Sequence, residues 1–485
     1  MPENKNPNNV IIRHGTRDDI PEILDVIDAS FKKPYYGGDR ANPNEKACFD
    51  YLYHRKDFCP EWNLVAEDAS TGRIVSIVGA HYRPSYIEGV PTESWMLNPA
   101  ATLHEYRGRG IMVRLIRMLN QYVWDQGGSL VFFHGVPEYY SRAGYTKCLA
   151  TYRLVLPVSQ VVKSVEGNSG KTGPGENRPG ENRIGEKEYC LTTATPEDAQ
   201  ALARVWDGEA RGGFLALRRT VDWWQRELSL GDPELAGHIE HPFPDLERLH
   251  VLRGPAGDGP GSAMAYASIS EDPEAKVLNI IEGAAVDDGA ASQLWTGLAR
   301  LAQNRGLKEF GFNASPRNSL VRTGMGNFMA VLRYRRPSAG FALLVNPGGL
   351  LKSLEPALSA RWKERGWPAQ SVQGTVALRV WGGADAGLQG QRVLLRYGRD
   401  GIVVDYSEGL AAGASTDAAT DVPTGAAEKD WIDLSYQDLT RLTLGSALPG
   451  ENLMASLGIA SGEARRVLTA LFPPEHPDPG QNYLY

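Results

Sequence analysis

Two successive α/β regions built on mixed sheets, followed by a smaller α+β region, are the fold class this sequence predicts. Three observations carry the prediction. A chain of 485 residues is too long for one hydrophobic core, and roughly three domains are expected. The order strand, helix, strand pair, loop, helix, strand runs over residues 9–157 and again over 189–344. From residue 346 the order changes, with a helix leading and several strands in succession. The boundaries this suggests are 1–158, 189–345 and 346–485, with 159–188 as a flexible linker or loop.

In the first region, Val10–Arg13 reads as a strand. A helix over Asp18–Phe31 follows, with Thr16 as N-cap and two acids in its first turn. Leu64–Asp68 and Ile74–Tyr82 form a hairpin about Ser70-Thr71-Gly72, and an extended stretch continues to Thr102. Next comes Tyr106-Arg107-Gly108-Arg109-Gly110-Ile111, running into an amphipathic helix over Met112–Trp124 with Val113, Ile116, Leu119, Tyr122 and Val123 at helical spacing. A glycine-rich turn entering a helix leaves backbone N–H groups free at the positive end of the helix dipole, which suits a pyrophosphate. Arg107 and Arg109 add fixed charge at the rim. A strand over Ser129–Phe133 and a turn over Pro137–Gly144 close the region.

The second region repeats this order. Tyr189–Ala194 leads into a helix capped near Thr195, with strands about Leu249–Leu252 and Ala263–Ile269, a helix over Ala291–Asn304 and a strand over Glu309–Asn313. Its corresponding loop, Gly283 to Ala290, has no Arg/Gln-x-x-Gly, and Asp287 and Asp288 stand where phosphate would sit. A copy without nucleotide binding is the expectation. The third region offers a helix over Leu350–Arg365, strands over Gln373–Val380, Gln391–Tyr397, Gly401–Tyr406 and Trp431–Ser435, and helices over Tyr436–Leu442 and Ala464–Leu471.

Two stretches read as linkers: Glu166–Lys187, with its tandem Pro-Gly-Glu-Asn-Arg, and the Ala/Gly/Thr-rich Gly409–Glu428. A net charge of −7 with 42% apolar and 22% charged residues argues against a nucleic-acid-binding surface. No run approaches the roughly 20 apolar residues of a membrane span, and Met1–Asn9 is polar rather than signal-like. Cys48, Cys59, Cys148 and Cys190 show no metal-ligand spacing, so free thiols in a reducing cytoplasm, and no metal, are expected.

The Arg107–Gly110 loop resembles the acyl-CoA loop of the GNAT acetyltransferases, whose pattern is Arg/Gln-x-x-Gly-x-Gly/Ala. Met112 departs from it at the last position. Together with Tyr140-Ser141-Arg142-Ala143-Gly144-Tyr145, Trp431–Gly445 and Leu471-Phe472-Pro473-Pro474, the order of parts resembles the enhanced intracellular survival protein family. That family joins an active GNAT domain, a degenerate one and a sterol-carrier-protein-like domain, and it tolerates a large apolar residue where Met112 stands.

The resemblance implies transfer of acetyl from acetyl-CoA directly to a primary amine: an aminoglycoside, a polyamine or a lysine side chain. Ala100, Ala101, Thr102 and Leu103 would hold the pantetheine arm through their backbone. Arg107, Gly108, Arg109, Gly110, Ile111 and Met112 would hold the phosphates. Tyr140 matches the family's acid, and a phenol of ordinary pKa about 10 can protonate a departing thiolate. For Tyr139 and Tyr145 simple packing in the turn is expected. The terminal carboxylate, here on Tyr485, takes the base role in the family; a tail packed on its own domain is the alternative. Asp25, Asp28 and Glu138, with Tyr35 and Tyr36 of an acceptor-side loop, are candidates for the amine, although such charges are often only solvated. The family implies a homo-oligomer, commonly a hexamer. The competing reading is a non-catalytic acyl-CoA sensor, or an apolar-ligand carrier using the third domain.

Overall fold

The computed structural model describes residues 9–31, 45–54, 58–135, 140–149, 151–168, 182–184, 189–229, 249–254, 262–335, 340–364, 373–381, 386–410, 431–444 and 462–473. The chain divides into two compact units. The first takes its described residues from 1–85, 90–149 and 337–475, the second from 86–89 and 150–336.

In the first unit, β1 (Val10–His14), α1 (Ile20–Phe31), α2 (Glu45–His54), β2 (Asn63–Asp68), β3 (Ile74–Tyr82), β4 (Ser94–Thr102), α3 (Ile111–Asp125), β5 (Leu130–His134) and β6 (Thr146–Lys147) follow in chain order. The sheet runs β1-β2-β3-β4-β5, then strand Gly340–Leu344, then β6. Only β4 and β5 pair in parallel. The helix expected from Asp18 is entered through a 3-10 turn, Arg17–Asp19, capped by Thr16: the Asp19 carboxylate accepts the Thr16 N–H and hydroxyl, both at 2.8 Å, and α1 follows. Arg13 grips the same carboxylate at 2.7 and 2.8 Å, and this hydrogen bonding draws it down to about 2. From there Ile20, Ile23, Leu24, Val26 and Ile27 bury one helical face. In α3 the buried face is Ile111, Leu115, Ile116, Leu119 and Val123.

The second unit repeats the pattern. Its sheet runs Asn182–Ile184, Tyr189–Thr193, Leu249–Arg253, Ala263–Asp272, Val277–Ala285, Glu309–Asn313, Thr151–Pro157, Val331–Arg335. Its parallel pair is Val277–Ala285 with Glu309–Asn313.

Two strands stand in the sheet that chain order alone would not choose. Thr151–Pro157, expected with residues 1–158, lies between Glu309–Asn313 and Val331–Arg335 of the second sheet. Gly340–Leu344, expected with 189–345, lies between β5 and β6 of the first. Thr151–Pro157 buries one face through Tyr152, Leu154 and Leu156 at alternate positions, whereas Phe341, Ala342, Leu343 and Leu344 are each 0% exposed and fill a two-sided buried position. Phe341 stacks on Phe133 at 5.3 Å between ring centroids. Phe341→Ala is therefore expected to cost about 3–5 kcal/mol, measurable by denaturant unfolding.

The expected linker 159–188 needs a correction at its start. Val158–Asn168 is a helix, because Val158 and Val161 recur at helical spacing and bury against Leu294 and Leu298. Asn182–Ile184 pairs with Tyr189–Leu191. The rest of that segment, and most of Gly409–Glu428, lies outside the described residues.

His250, on strand Leu249–Arg253, is 8% exposed, and burial pushes its imidazole down to about 4. Between that value and the ordinary 6.5 the unfolded chain binds a proton that the folded chain refuses, so stability falls as pH falls through this window. A loss of about 1–3 kcal/mol is expected on acidification. His250→Gln should remove it from the pH profile of urea unfolding, and an unaltered profile would contradict the assignment.

The third region is an α+β layer of the first unit. Its sheet order is Gly401–Leu410, Gly390–Gly398, Gly374–Trp381, Trp431–Ser435, with the last pair parallel. The single helix expected over Leu350–Arg365 breaks at Leu354 into Pro347–Ser353 and Glu355–Glu364. Helices Tyr436–Thr443 and Gly462–Leu471 complete the layer. It joins the first sheet through the Leu344 N–H donating to Thr440 Oγ1 at 3.1 Å. Cys59, Cys148 and Cys190 are free thiols, and no helix among the described residues is long and apolar enough to cross a membrane.

Candidate functional site

The site begins where β4 and β5 part. Their parallel pairing lasts only from Ser94↔Leu130 to Met96↔Phe132, while β4 continues to Thr102. Six residues, Leu97–Thr102, thus have no β5 partner. On the other edge of β4, the Leu103 N–H donates to the Val75 carbonyl at 3.0 Å. That fixes the alternation: Ala101 pairs with Ile77 of β3, and the peptide groups of Ala100 and Thr102 turn towards the gap. An extended chain laid in this gap would meet the N–H groups of Ala100 and Thr102 and the Ala100 carbonyl, while Pro99 offers no N–H and the register shifts between Ala100 and Leu97.

Beyond β4 the chain makes one 3-10 turn, His104–Tyr106, and enters the loop. Gly108 and Gly110 have φ of 75° and 74°, a conformation costly to any residue with a Cβ. Among the described residues no side chain caps the start of α3, and the Arg114 N–H donates to the Gly110 carbonyl. The N–H groups of Ile111, Met112 and Val113 therefore form the donor end of the helix. The large Met112 side chain, half-buried, leaves this backbone turn intact.

The two arginines brace the loop. Arg107 Nε donates to the Thr102 carbonyl at 3.0 Å and its Nη2 to the Ser30 carbonyl at 3.4 Å, so the gap-facing carbonyl of Thr102 is already engaged. Arg109 Nη2 donates to the Glu105 carbonyl at 2.8 Å, and the guanidinium lies 4.6 Å from the Tyr106 ring centroid. The Tyr106 hydroxyl donates to Asp68 at 2.7 Å. Asp68 is held down at about 2 by the Ser70 hydroxyl first and the Tyr106 hydroxyl second. Both guanidinium groups are thus anchored by backbone carbonyls.

Tyr140 opens the 3-10 turn Ser141–Ala143 and is 4% exposed. Its ring packs on Phe133 at 4.2 Å and on Phe341 at 5.8 Å between centroids. Gly135 is required there, since a Cβ would come within 2.8 Å of the Tyr140 ring. Phe133 belongs to β5, so the tyrosine stands on the strand that forms the far wall of the gap. Tyr145 is wholly buried, as a packing role demands. Phe341 arrives from beyond the second sheet, and no local sequence signal ties it to Tyr140.

On the acceptor side, Asp25 of α1 is paired with Lys46 of α2 at 2.7 Å, which raises the Lys46 ammonium through that hydrogen bond first. Asp28 is half-buried one turn on. Lys46 went unremarked in the sequence and offsets the charge that Asp25 would offer a cation. Tyr35, Tyr36, Glu138, Tyr139 and Tyr485 lie outside the described residues. Among the described residues no group of His, Cys, Asp and Glu could hold a metal.

The second sheet opens in the same manner and is filled by its own chain. Pairing of Val277–Ala285 with Glu309–Asn313 ends at Ile280↔Phe312. Beyond it, Asn318 Nδ2 donates to the Gly283 carbonyl at 2.9 Å and the Ala285 N–H donates to Ser319 Oγ at 3.1 Å. The corresponding helix is capped by Asp287, which accepts the Ala290 N–H at 2.7 Å. Strand edge and helix N-terminus, which take no partner among the described residues of the first copy, are self-satisfied in the second.

Residues 11–148 match the Acetyltransferase (GNAT) domain family. Among solved structures, a GCN5-related N-acetyltransferase from Anabaena variabilis is 14% identical with a TM-score of 0.61, over 96% of this chain and 98% of its own. A probable N-acyltransferase from Enterococcus faecalis is 13% identical with a TM-score of 0.62, over 96% and 97%. Eis1 from Mycobacterium abscessus is 13% identical with a TM-score of 0.54, over 96% and 98%. At these identities the likeness is one of fold. No curated protein matches the chain.

Proposed function

Starting from a chain whose residues 11–148 are a GNAT acetyltransferase domain, we propose that it transfers acetyl from acetyl-CoA directly to a primary amine. The acceptor class is an aminoglycoside-like amine, a polyamine or a lysine side chain. The observation that carries this reading is the unpaired edge of β4, joined through the turn His104–Tyr106 and the Arg107–Gly110 loop to the start of α3. Together they offer a ladder for an extended pantetheine arm and a donor-rich end for its pyrophosphate.

With the pantetheine arm laid along Ala100–Thr102, the thioester falls near Leu97, where the strands part. There a gap-facing backbone N–H would polarise its oxygen. The Tyr140 phenol, based on the β5 wall, gives its proton to the coenzyme A thiolate as the carbon–sulfur bond breaks and the amide bond forms. The proton leaving the amine passes to a base, a role the terminal carboxylate of Tyr485 would fill by resemblance. Arg107 and Arg109 support the phosphates with guanidinium positions already fixed by Thr102, Ser30 and Glu105 carbonyls. By its resemblance to the enhanced intracellular survival proteins, the third region would be sterol-carrier-protein-like and the chain would assemble as a homo-oligomer, commonly a hexamer.

Incubation with isotopically labelled acetyl-CoA and a panel of aminoglycosides, polyamines and lysine peptides tests this. Mass spectrometry should find the label in an N-acetylated product; label that never leaves acetyl-CoA would overturn the reading. Arg107→Ala is expected to weaken acetyl-CoA binding about tenfold, the order of a charged hydrogen bond, without unfolding the protein. Unchanged calorimetric affinity would remove its phosphate role.

A further inference from the structure

The turn that carries Tyr140 is held by side chains from outside its own loop. Gln437, in the first turn of helix Tyr436–Thr443, donates Nε2 to the carbonyl of Ser141 at 2.9 Å and to the carbonyl of Tyr145 at 3.1 Å. Those carbonyls bracket the 3-10 turn that Tyr140 opens, and the two amide hydrogens match the two acceptors. A second tie lies beneath. The Tyr145 hydroxyl donates to Asn120 Oδ1 at 2.6 Å, and Asn120 Nδ2 donates to the Ala386 carbonyl at 3.0 Å. Gly144, at φ 89°, lets Ala386 approach so closely that a Cβ would meet its Cβ at 2.7 Å. The first tie comes directly from the α+β layer of residues 346 onward, Gln437 lying 296 positions from Ser141; the second reaches the same layer through Asn120 of α3, which lies 266 positions from Ala386.

A turn this short cannot fix its own orientation. Its backbone makes the bonds Gly144 N–H to Ser141 carbonyl, 3.3 Å, and Tyr145 N–H to Tyr140 carbonyl, 3.2 Å. Both are long, and neither sets the turn's tilt relative to β5. The Gln437 amide supplies that constraint at the turn's two ends. We propose that Gln437 is a positioning residue for Tyr140, so that the α+β layer sets the line along which the phenol meets the departing thiolate. This rests on the reading of Tyr140 as general acid. It gives the third region a part in catalysis that needs no ligand of its own.

Gln437→Glu keeps the shape and removes both donated hydrogens; Gln437→Ala is the second variant if the glutamate does not fold. Each is compared with Tyr140→Phe and with the corresponding double variant, with thermal unfolding recorded for all. Gln437→Glu is expected to lower kcat about tenfold, leave KM for acetyl-CoA within about twofold, and cause no further loss in the Tyr140→Phe background. An equal further loss in that background would show that Gln437 acts independently of Tyr140 and overturn the proposal, as would unchanged kcat in Gln437→Glu. Normal turnover in Tyr140→Phe alone would instead remove the acid, and the positioning role with it.

Discussion

Tyr140→Phe is expected to lower kcat by about two orders of magnitude, the lower range for loss of a general acid, with little change in KM for acetyl-CoA. The ring is 4% exposed and packed on Phe133 and Phe341. Phenylalanine keeps that packing and removes one hydroxyl, and thermal unfolding of the variant separates an effect on chemistry from one on folding. Donation to the thiolate matters only as the carbon–sulfur bond breaks, which places the loss in kcat and in kcat/KM together. Initial rates over a range of acetyl-CoA concentrations separate the two constants. Wild-type turnover in this variant would clear Tyr140 of acid duty and leave the protonation of the thiolate to solvent.

Gly110→Val should produce the largest loss in cofactor affinity. A Cβ at this position meets nothing within 4 Å, so no clash arises; the cost is conformational. At φ 74° a residue with a Cβ pays about 1–2 kcal/mol, and a β-branched one more. The loop can relieve the strain only by rotating, which turns the N–H groups of Ile111, Met112 and Val113 away from a common point. Affinity for acetyl-CoA is expected to fall at least about tenfold with a modest fall in melting temperature, since Gly110 is exposed. Calorimetric titration gives the number, and unchanged affinity would mean that phosphate is not bound at this helix end.

Much of this site is written in local chemistry. Gly108 and Gly110 were legible because only glycine adopts their backbone without strain. Packing at Tyr145 was legible from an aromatic closing a glycine turn. The start of α1 was legible from Thr16 with acids following. Other features depend on pairing and direction, which leave no local mark. Strands Thr151–Pro157 and Gly340–Leu344 are apolar runs that either sheet would accept, and chain order pointed to the wrong partner for each. The helix Val158–Asn168 carries valines at helical spacing but adjoins a Pro/Gly-rich stretch that drew the reading towards a linker. The charge of Arg107 was readable, while its grip on the Thr102 carbonyl depends on a rotamer. Nothing near Gln437 or Ala386 in the chain mentions the turn they hold.

Release of free coenzyme A thiol by the wild-type protein, with and without each amine of the panel, is the most direct test of acetyl transfer. The expected result is slow release alone and rapid release with at least one amine, matched mole for mole by N-acetylated product. Firm acetyl-CoA binding with no amine-dependent release would contradict it and point to an acyl-CoA sensor.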